Sequence, residues 1–211
     1  MSFNKNLKYA VIMVIVVQLL IVWGCAGSLQ KKPQDPDNIC RIFKENKAWY
    51  KRANSSSRKW GIPISVMMAI MYQESGYRHD AKPPRKSCLF ILPGPRPSSA
   101  YGYSQALEST WKNYIKSSGN TGAERDDFGD SIDFIGWYCN QSKRKCGISA
   151  RDSYNHYLAY HEGQQGFNRK TFRKKKWLLG VARNVASKEA KYSRQLAICE
   201  KEFRKSCLWP F

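Results

Sequence analysis

Apolar residues along this chain recur mostly at three- and four-residue spacing, the period of helices buried on one face. No stretch alternates as a half-buried strand does. Ile42 to Arg58 carries one mixed helical pattern that stops at Ser55-Ser56-Ser57. Gly61-Ile62-Pro63 opens a second helix, with Pro63 suited to a first turn, where a missing N–H costs nothing. The body of that helix, Ile64 to Tyr72, is apolar nearly all round through Val66, Met67, Met68, Ala69, Ile70 and Met71. A helix of this kind is buried on every side. Lys82 to Ser99 holds five of the nine prolines and reads as a long surface loop. Helical patterning returns over Gln105 to Ser117 and over Asp127 to Asn140. Ser149-Ala150-Arg151-Asp152 resembles a capping box with Asp in place of Glu, and opens a helix through Tyr160. Lys176 to Phe203 completes the pattern with Trp177, Leu178, Val181, Val185, Tyr192, Leu196 and Ile198. The expectation is an all-α or nearly all-α domain over residues 39–211, without an internal repeat.

The N-terminus has a different grammar. Lys5 and Lys8 precede an apolar run from Ala10 to Val22, interrupted by Gln18. That run is shorter than the about 20 residues of a spanning helix and has the length of a signal-peptide core. Val22-Trp23-Gly24-Cys25 resembles a lipobox, so residues 1–24 are expected to be a leader and Cys25 a lipid-bearing mature N-terminus. The alternative is an uncleaved signal anchor. Either way the remainder is expected outside the cytoplasm, in the periplasm of a bacterial envelope, with residues 25–38 as a polar tether from the membrane. Export also changes the meaning of the charge. The chain has 36 basic and 16 acidic residues, net +20, which attracts polyanions in general. Outside the cytoplasm the candidates narrow to anionic lipid and cell-wall polymer, and nucleic acid drops out.

Seven cysteines fit that compartment: Cys25, Cys40, Cys88, Cys139, Cys146, Cys199 and Cys207. With Cys25 lipidated, six remain as disulfide candidates, an even number in an oxidising environment. Cys139–Cys146 closes a short loop, and Cys40 can reach Cys199 or Cys207 near the C-terminus. Zinc is disfavoured by the absence of a C-x-x-C pair and of ligand-spaced histidines. No metal and no cofactor are expected.

Three segments carry candidate chemistry. Tyr72-Gln73-Glu74-Ser75-Gly76-Tyr77 leaves the most hydrophobic helix. Burial and the negative end of the helix dipole both raise the pKa of a carboxyl there, as a general acid requires; the competing reading is a solvated helix-end glutamate. Ala100-Tyr101-Gly102-Tyr103-Ser104-Gln105 offers a glycine for close backbone approach and an amide for a polar cleft. Leu158-Ala159-Tyr160-His161-Glu162-Gly163 is a helix end stopped by glycine.

Taken in this order, with the Trp60-x-Ile62-Pro63 lead-in, the three resemble the signature of the lytic transglycosylases related to goose-type lysozyme. That family shows Glu-Ser closing a buried helix, then Gly-Leu-Met-Gln, then Ala-Tyr-Asn-x-Gly. The counterparts here are Glu74-Ser75, Gly102-Tyr103-Ser104-Gln105, and Ala159-Tyr160-His161-Glu162-Gly163, with the middle residues and the asparagine replaced. The resemblance spans about residues 42–163 and implies a lysozyme-like domain acting on peptidoglycan. It further implies that Glu74 protonates the glycosidic oxygen and then takes the proton of the muramoyl 6-hydroxyl, leaving a 1,6-anhydro end. By the same resemblance Ser75 orients substrate or carboxylate, Gln105 contacts sugar, and Tyr160 hydrogen-bonds Glu74. Gly102, Tyr103, His161 and Glu162 join them as substrate-binding candidates.

Hydrolytic glycosidases generally need a second carboxylate, for which Asp80, Glu108, Asp126, Asp127 and Glu162 are available. Two alternatives therefore stand beside the transglycosylase: a lysozyme-type hydrolase, and a non-catalytic wall-binding scaffold of an envelope-spanning secretion or conjugation apparatus. Arg169, Lys170, Arg173, Lys174, Lys175 and Lys176 form the densest basic run, either a patch for anionic polymer or lipid, or a solvated face.

Overall fold

The structure, a computed structural model, describes residues 32–85, 87–88, 92–93 and 95–206. The leader, Cys25, Cys207 and the side chain of Cys88 lie outside the described residues. Among the described residues seven α-helices follow in order: α1 Ile39–Glu45, α2 Lys47–Trp60, α3 Ile64–Ser75, α4 Glu108–Ser118, α5 Phe128–Cys146, α6 Ser153–Asn168 and α7 Lys176–Ser206. A 3₁₀ turn, Thr171–Lys174, joins the last two. Among its described residues the proline-rich segment carries a two-residue antiparallel ladder, Ser87–Cys88 with Leu92–Pro93. The expectation of an all-α domain holds. No helix among the described residues is long and apolar enough to cross a membrane.

α3 is the axis of the domain, as its unbroken apolar sequence demands. Every residue from Ile64 to Met71 is buried, and α2, α5, α6 and α7 pack around it. Several helix boundaries differ from the sequence pattern for local reasons. The first expected helix is two, broken at Asn46, whose backbone (φ −131°, ψ 75°) leaves the helical region. The serine run does not stop α2, which continues to Trp60 and closes on Gly61 at φ 67°. Ser56 is buried and its hydroxyl donates to the Ile132 carbonyl at 3.2 Å. A Cβ on Gly136 would lie 2.6 Å from the Ser56 Oγ. Small residues thus let α2 and α5 approach closely, which a propensity for turns cannot reveal. α4 starts at Glu108, after Gln105, which has φ 49°. α5 runs six residues beyond Asn140, to Cys146. Asp152 itself caps α6, accepting from Asn155 N–H at 3.0 Å, and α6 continues beyond Tyr160 through a bend at Gly163 (φ 72°, ψ 158°).

Among the described residues one disulfide forms, Cys40–Cys199, tying α1 to α7 across 159 residues. This realises one of the two partners expected for Cys40. The Cys139–Cys146 bridge does not form, and both thiols are free. Both residues lie on α5, where a separation of seven places them about 10 Å apart, beyond disulfide reach. The expected loop between them is continuous helix.

Candidate active site

Glu74 occupies the last turn of α3, where Gly76 (φ 58°) and then Tyr77 (φ 62°) turn the chain sharply away. A positive φ at a tyrosine is costly. Burial of its ring and the positions of its hydroxyl, 3.1 Å from the Met68 carbonyl and 3.0 Å from the Tyr192 hydroxyl, hold it. The exit of α3 is therefore fixed, and Glu74 with it. The residue keeps partial exposure, yet the carboxyl is surrounded closely enough that burial lifts its pKa to about 7, with a hydrogen bond from Tyr157 opposing the rise. No cation and no second carboxylate contributes to that shift. A half-protonated acid near neutrality is the result, which suits a group that must first give and then take a proton.

The second segment is a tight turn built around Gly102. Its φ of 73° and its contact with Arg125 require glycine, since a Cβ would stand 1.9 Å from the Arg125 carbonyl oxygen. The Gly102 N–H donates to the Ala81 carbonyl at 2.9 Å, and the Tyr103 N–H to the Arg125 carbonyl at 3.1 Å. Gln105 ties this turn to the chain leaving α3: its Nε2 donates to Ala81 O at 2.8 Å and to Gly102 O at 2.9 Å. The amide donors expected to meet sugar are thus engaged by backbone.

Tyr160 joins the third segment to the second. Its hydroxyl donates to the Ser104 carbonyl at 2.7 Å, and it is close enough to Glu74 for the carboxylate to push its own pKa further up, after burial. The hydrogen bond to Glu74 that the family resemblance implied for Tyr160 comes instead from Tyr157. The two tyrosines are three residues apart and share a face of α6. That spacing is the signal by which Tyr157, missed in the sequence, was open to recognition.

Other expected site residues lie elsewhere. Tyr103 is 0% exposed in an aromatic cluster, edge-on to Trp49 at 5.7 Å and Phe128 at 5.8 Å, with those two rings stacked at 4.0 Å. It supports the turn from within rather than lining a surface a sugar can reach. Ser75 is buried, and its hydroxyl donates back to Met71 O at 3.2 Å, so it faces its own helix. His161 and Glu162 project toward the 3₁₀ turn and α7. There the Glu162 carboxylate receives Lys175 Nζ at 2.7 Å, a His161 Nδ1 contact at 3.0 Å and the Thr171 hydroxyl. Burial alone would raise the pKa of Glu162, but Lys175, Thr171 and His161 together bring it down to about 2. It is ionised at neutral pH and held in a structural network.

Three of the four remaining candidates for a second catalytic carboxylate are likewise engaged. Asp126 accepts from the Tyr101 hydroxyl at 2.9 Å, Asp127 caps α5, and Glu108 pairs with Lys112 at 2.6 Å. Asp80 is exposed. A cavity of about 1200 Å³ is lined by Arg58, Ile62, Ser65, Glu189, Leu196 and Arg204 among others, and by no residue of the three site segments. It adjoins the start of α3, about 15 Å along the helix from Glu74. Among the described residues no cluster of His, Cys, Asp and Glu is arranged to hold a metal ion.

The family model described as "Transglycosylase SLT domain" matches residues 13–199. No curated protein matches the chain.

Proposed function

Because the chain belongs to the transglycosylase SLT domain family, whose activity is directed at peptidoglycan, we propose that it is a lytic transglycosylase with Glu74 as its one acid/base. In the first step Glu74 gives its proton to the glycosidic oxygen that links a muramoyl unit to the next sugar, and the C1–O bond breaks. In the second, the 6-hydroxyl of the same muramoyl unit gives its proton to the Glu74 carboxylate as its oxygen bonds to C1. The proton returns, no water enters, and the product is one water lighter than a hydrolase would release. The observation that carries this reading is Glu74 itself: pKa lifted to about 7 by burial, one tyrosine donor, and no companion carboxylate acting on it. A hydrolase would need such a companion to direct water or to form a covalent intermediate. Mass spectrometry of the muropeptides released from purified sacculi tests it. Anhydro ends are expected from the parent protein and none from Glu74→Gln; fully hydrated ends would refute the assignment.

The same reading places the domain in the periplasm, held to the membrane by lipid on Cys25. Supporting it are the charge and hydropathy of residues 1–25 and the Cys40–Cys199 disulfide, a bond rare in the cytosol. Incorporation of labelled palmitate by the full chain, abolished in Cys25→Ala, is the expected result. A label retained in the variant would exclude Cys25 as the anchor.

A further inference from the structure

Glu162 and His161 interrupt the third motif with side chains that Glu74 does not use, and their contacts lead to a solvent-facing tryptophan. Trp177, in the first turn of α7, is 58% exposed, while the next residue, Leu178, is fully buried. The His161 ring stands edge-on to the Trp177 indole, with centroids 5.1 Å apart and planes at 78°. His161 is itself positioned by its Nδ1 contact with Glu162 at 3.0 Å. The Glu162 side chain, only 4% exposed, is anchored by Lys175 and Thr171. The bend at Gly163 and the approach of Gly166, where a Cβ would lie 3.1 Å from the Glu162 Cβ, let α6 and the 3₁₀ turn close on that carboxylate. A half-buried ion pair and two glycines thus support an indole that covers no core of its own. In the segment that leads into it, and beside it, Arg169, Lys170, Arg173, Lys174 and Lys176 are exposed and have no carboxylate partner among the described residues. Only Lys175 of the basic run is spent, on Glu162.

Sugar rings present an apolar C–H face that packs on an indole, and murein stem peptides carry free carboxylates that cations attract. An anionic membrane would attract the same cations. The family to which the chain belongs acts on peptidoglycan, and that favours the glycan strand. We propose that Trp177, braced by His161 and Glu162 and bordered by Arg169, Lys170, Arg173 and Lys174, is an accessory subsite for the peptidoglycan strand. In it one sugar ring packs on the indole while stem-peptide carboxylates meet the cations. This rests on peptidoglycan being the substrate.

Binding in a Glu74→Gln background tests the subsite apart from turnover, with three probes: purified sacculi, the neutral hexamer of N-acetylglucosamine, and vesicles of phosphatidylglycerol and phosphatidylethanolamine. Adding Trp177→Ala should weaken sacculi and hexamer alike by roughly 3- to 10-fold. The thermal midpoint should stay unchanged, because the indole is exposed. Glu162→Gln should act in the same direction through His161. A Lys170→Gln, Arg173→Gln, Lys174→Gln triple variant should weaken sacculi, flatten the salt dependence, and leave the neutral hexamer alone. Undiminished sacculus and hexamer binding in Trp177→Ala would overturn the subsite while the assignment of Glu74 stood. Loss confined to the vesicles would overturn it in favour of a membrane surface. If Glu74→Gln bound no sacculi and the parent released no muropeptides, both readings would fall together.

Discussion

Glu74 at the end of α3 and Glu162 beside the bend of α6 are both carboxylates withdrawn from water. Burial raises both. At Glu74 nothing but the Tyr157 hydroxyl opposes it, and the carboxyl holds its proton to about 7. At Glu162 a lysine, a threonine and a histidine oppose it, and the proton is gone by about 2. The donors that the surrounding elements bring set the two apart. α3 reaches its last turn through a wall of Met, Ile and Val side chains and supplies no cation. The 3₁₀ turn and α7 come from the most basic stretch of the chain and supply Lys175. Enclosure makes an acid only where partners are withheld.

The largest way to break this contrast is Glu74→Gln. Removal of a general acid/base should lower muropeptide release by on the order of 10²–10⁴-fold, read by chromatography of sacculus digests. Glu162→Gln should leave the chemical step within a fewfold of the parent; a loss as large as that at Glu74 would mean that Glu162 touches the reacting atoms.

Tyr157→Phe sharpens the comparison by making Glu74 more isolated still. The tyrosine hydrogen bond lowers the pKa of Glu74, so its removal should move the alkaline limb of the pH–rate profile to higher pH. We expect a rate loss of roughly 3- to 10-fold below that limb, from poorer orientation of the carboxyl. A limb that moved to lower pH, or did not move, would show that Tyr157 is not the donor.

Stability should separate the two glutamates by sign. Glu162 is held below its ordinary value of 4.5, so its contribution is present above that value and lost as the pH falls toward about 2. Glu162→Gln should cost about 1–2 kcal/mol at neutral pH, discounted because Lys175 is 42% exposed. Glu74 is raised above 4.5, so its favourable contribution is full below that value and disappears as the pH climbs through about 7. Glu74→Gln should therefore raise the thermal midpoint slightly at pH 8 relative to the parent, and the gain should vanish toward pH 5. Parallel pH dependence in the two variants would contradict the contrast.

Much of this was legible in the sequence because the strongest signals are local. An apolar helix that ends in Glu-Ser-Gly announces both the burial of α3 and the carboxyl at its tip. Gly102 and Tyr160 were legible as well, since a close backbone approach needs glycine and a buried hydroxyl seeks an acceptor. What was hidden depends on facing elements. Ser56 looks like a turn former until Gly136 is set against it. Tyr103 sits within a site motif, yet its ring belongs to the cluster of Trp49 and Phe128. Tyr157 takes the role expected of Tyr160 because the face of α6 toward Glu74 is set by tertiary packing. The cysteines teach the same lesson: Cys40 and Cys199 meet across the whole domain, while Cys139 and Cys146, near in sequence, are held apart by the helix between them.

The central claim is that Glu74 is an acid of nearly neutral pKa without a carboxylate companion. Its direct test is a titration of the Glu74 side-chain carboxyl carbon, followed by NMR in protein labelled with carbon-13 at glutamate and assigned by comparison with Glu74→Gln. One transition with a midpoint at about 7 is predicted. A midpoint near 4.5 would contradict the account, because a carboxyl with that value is solvated and holds no proton to give at neutral pH.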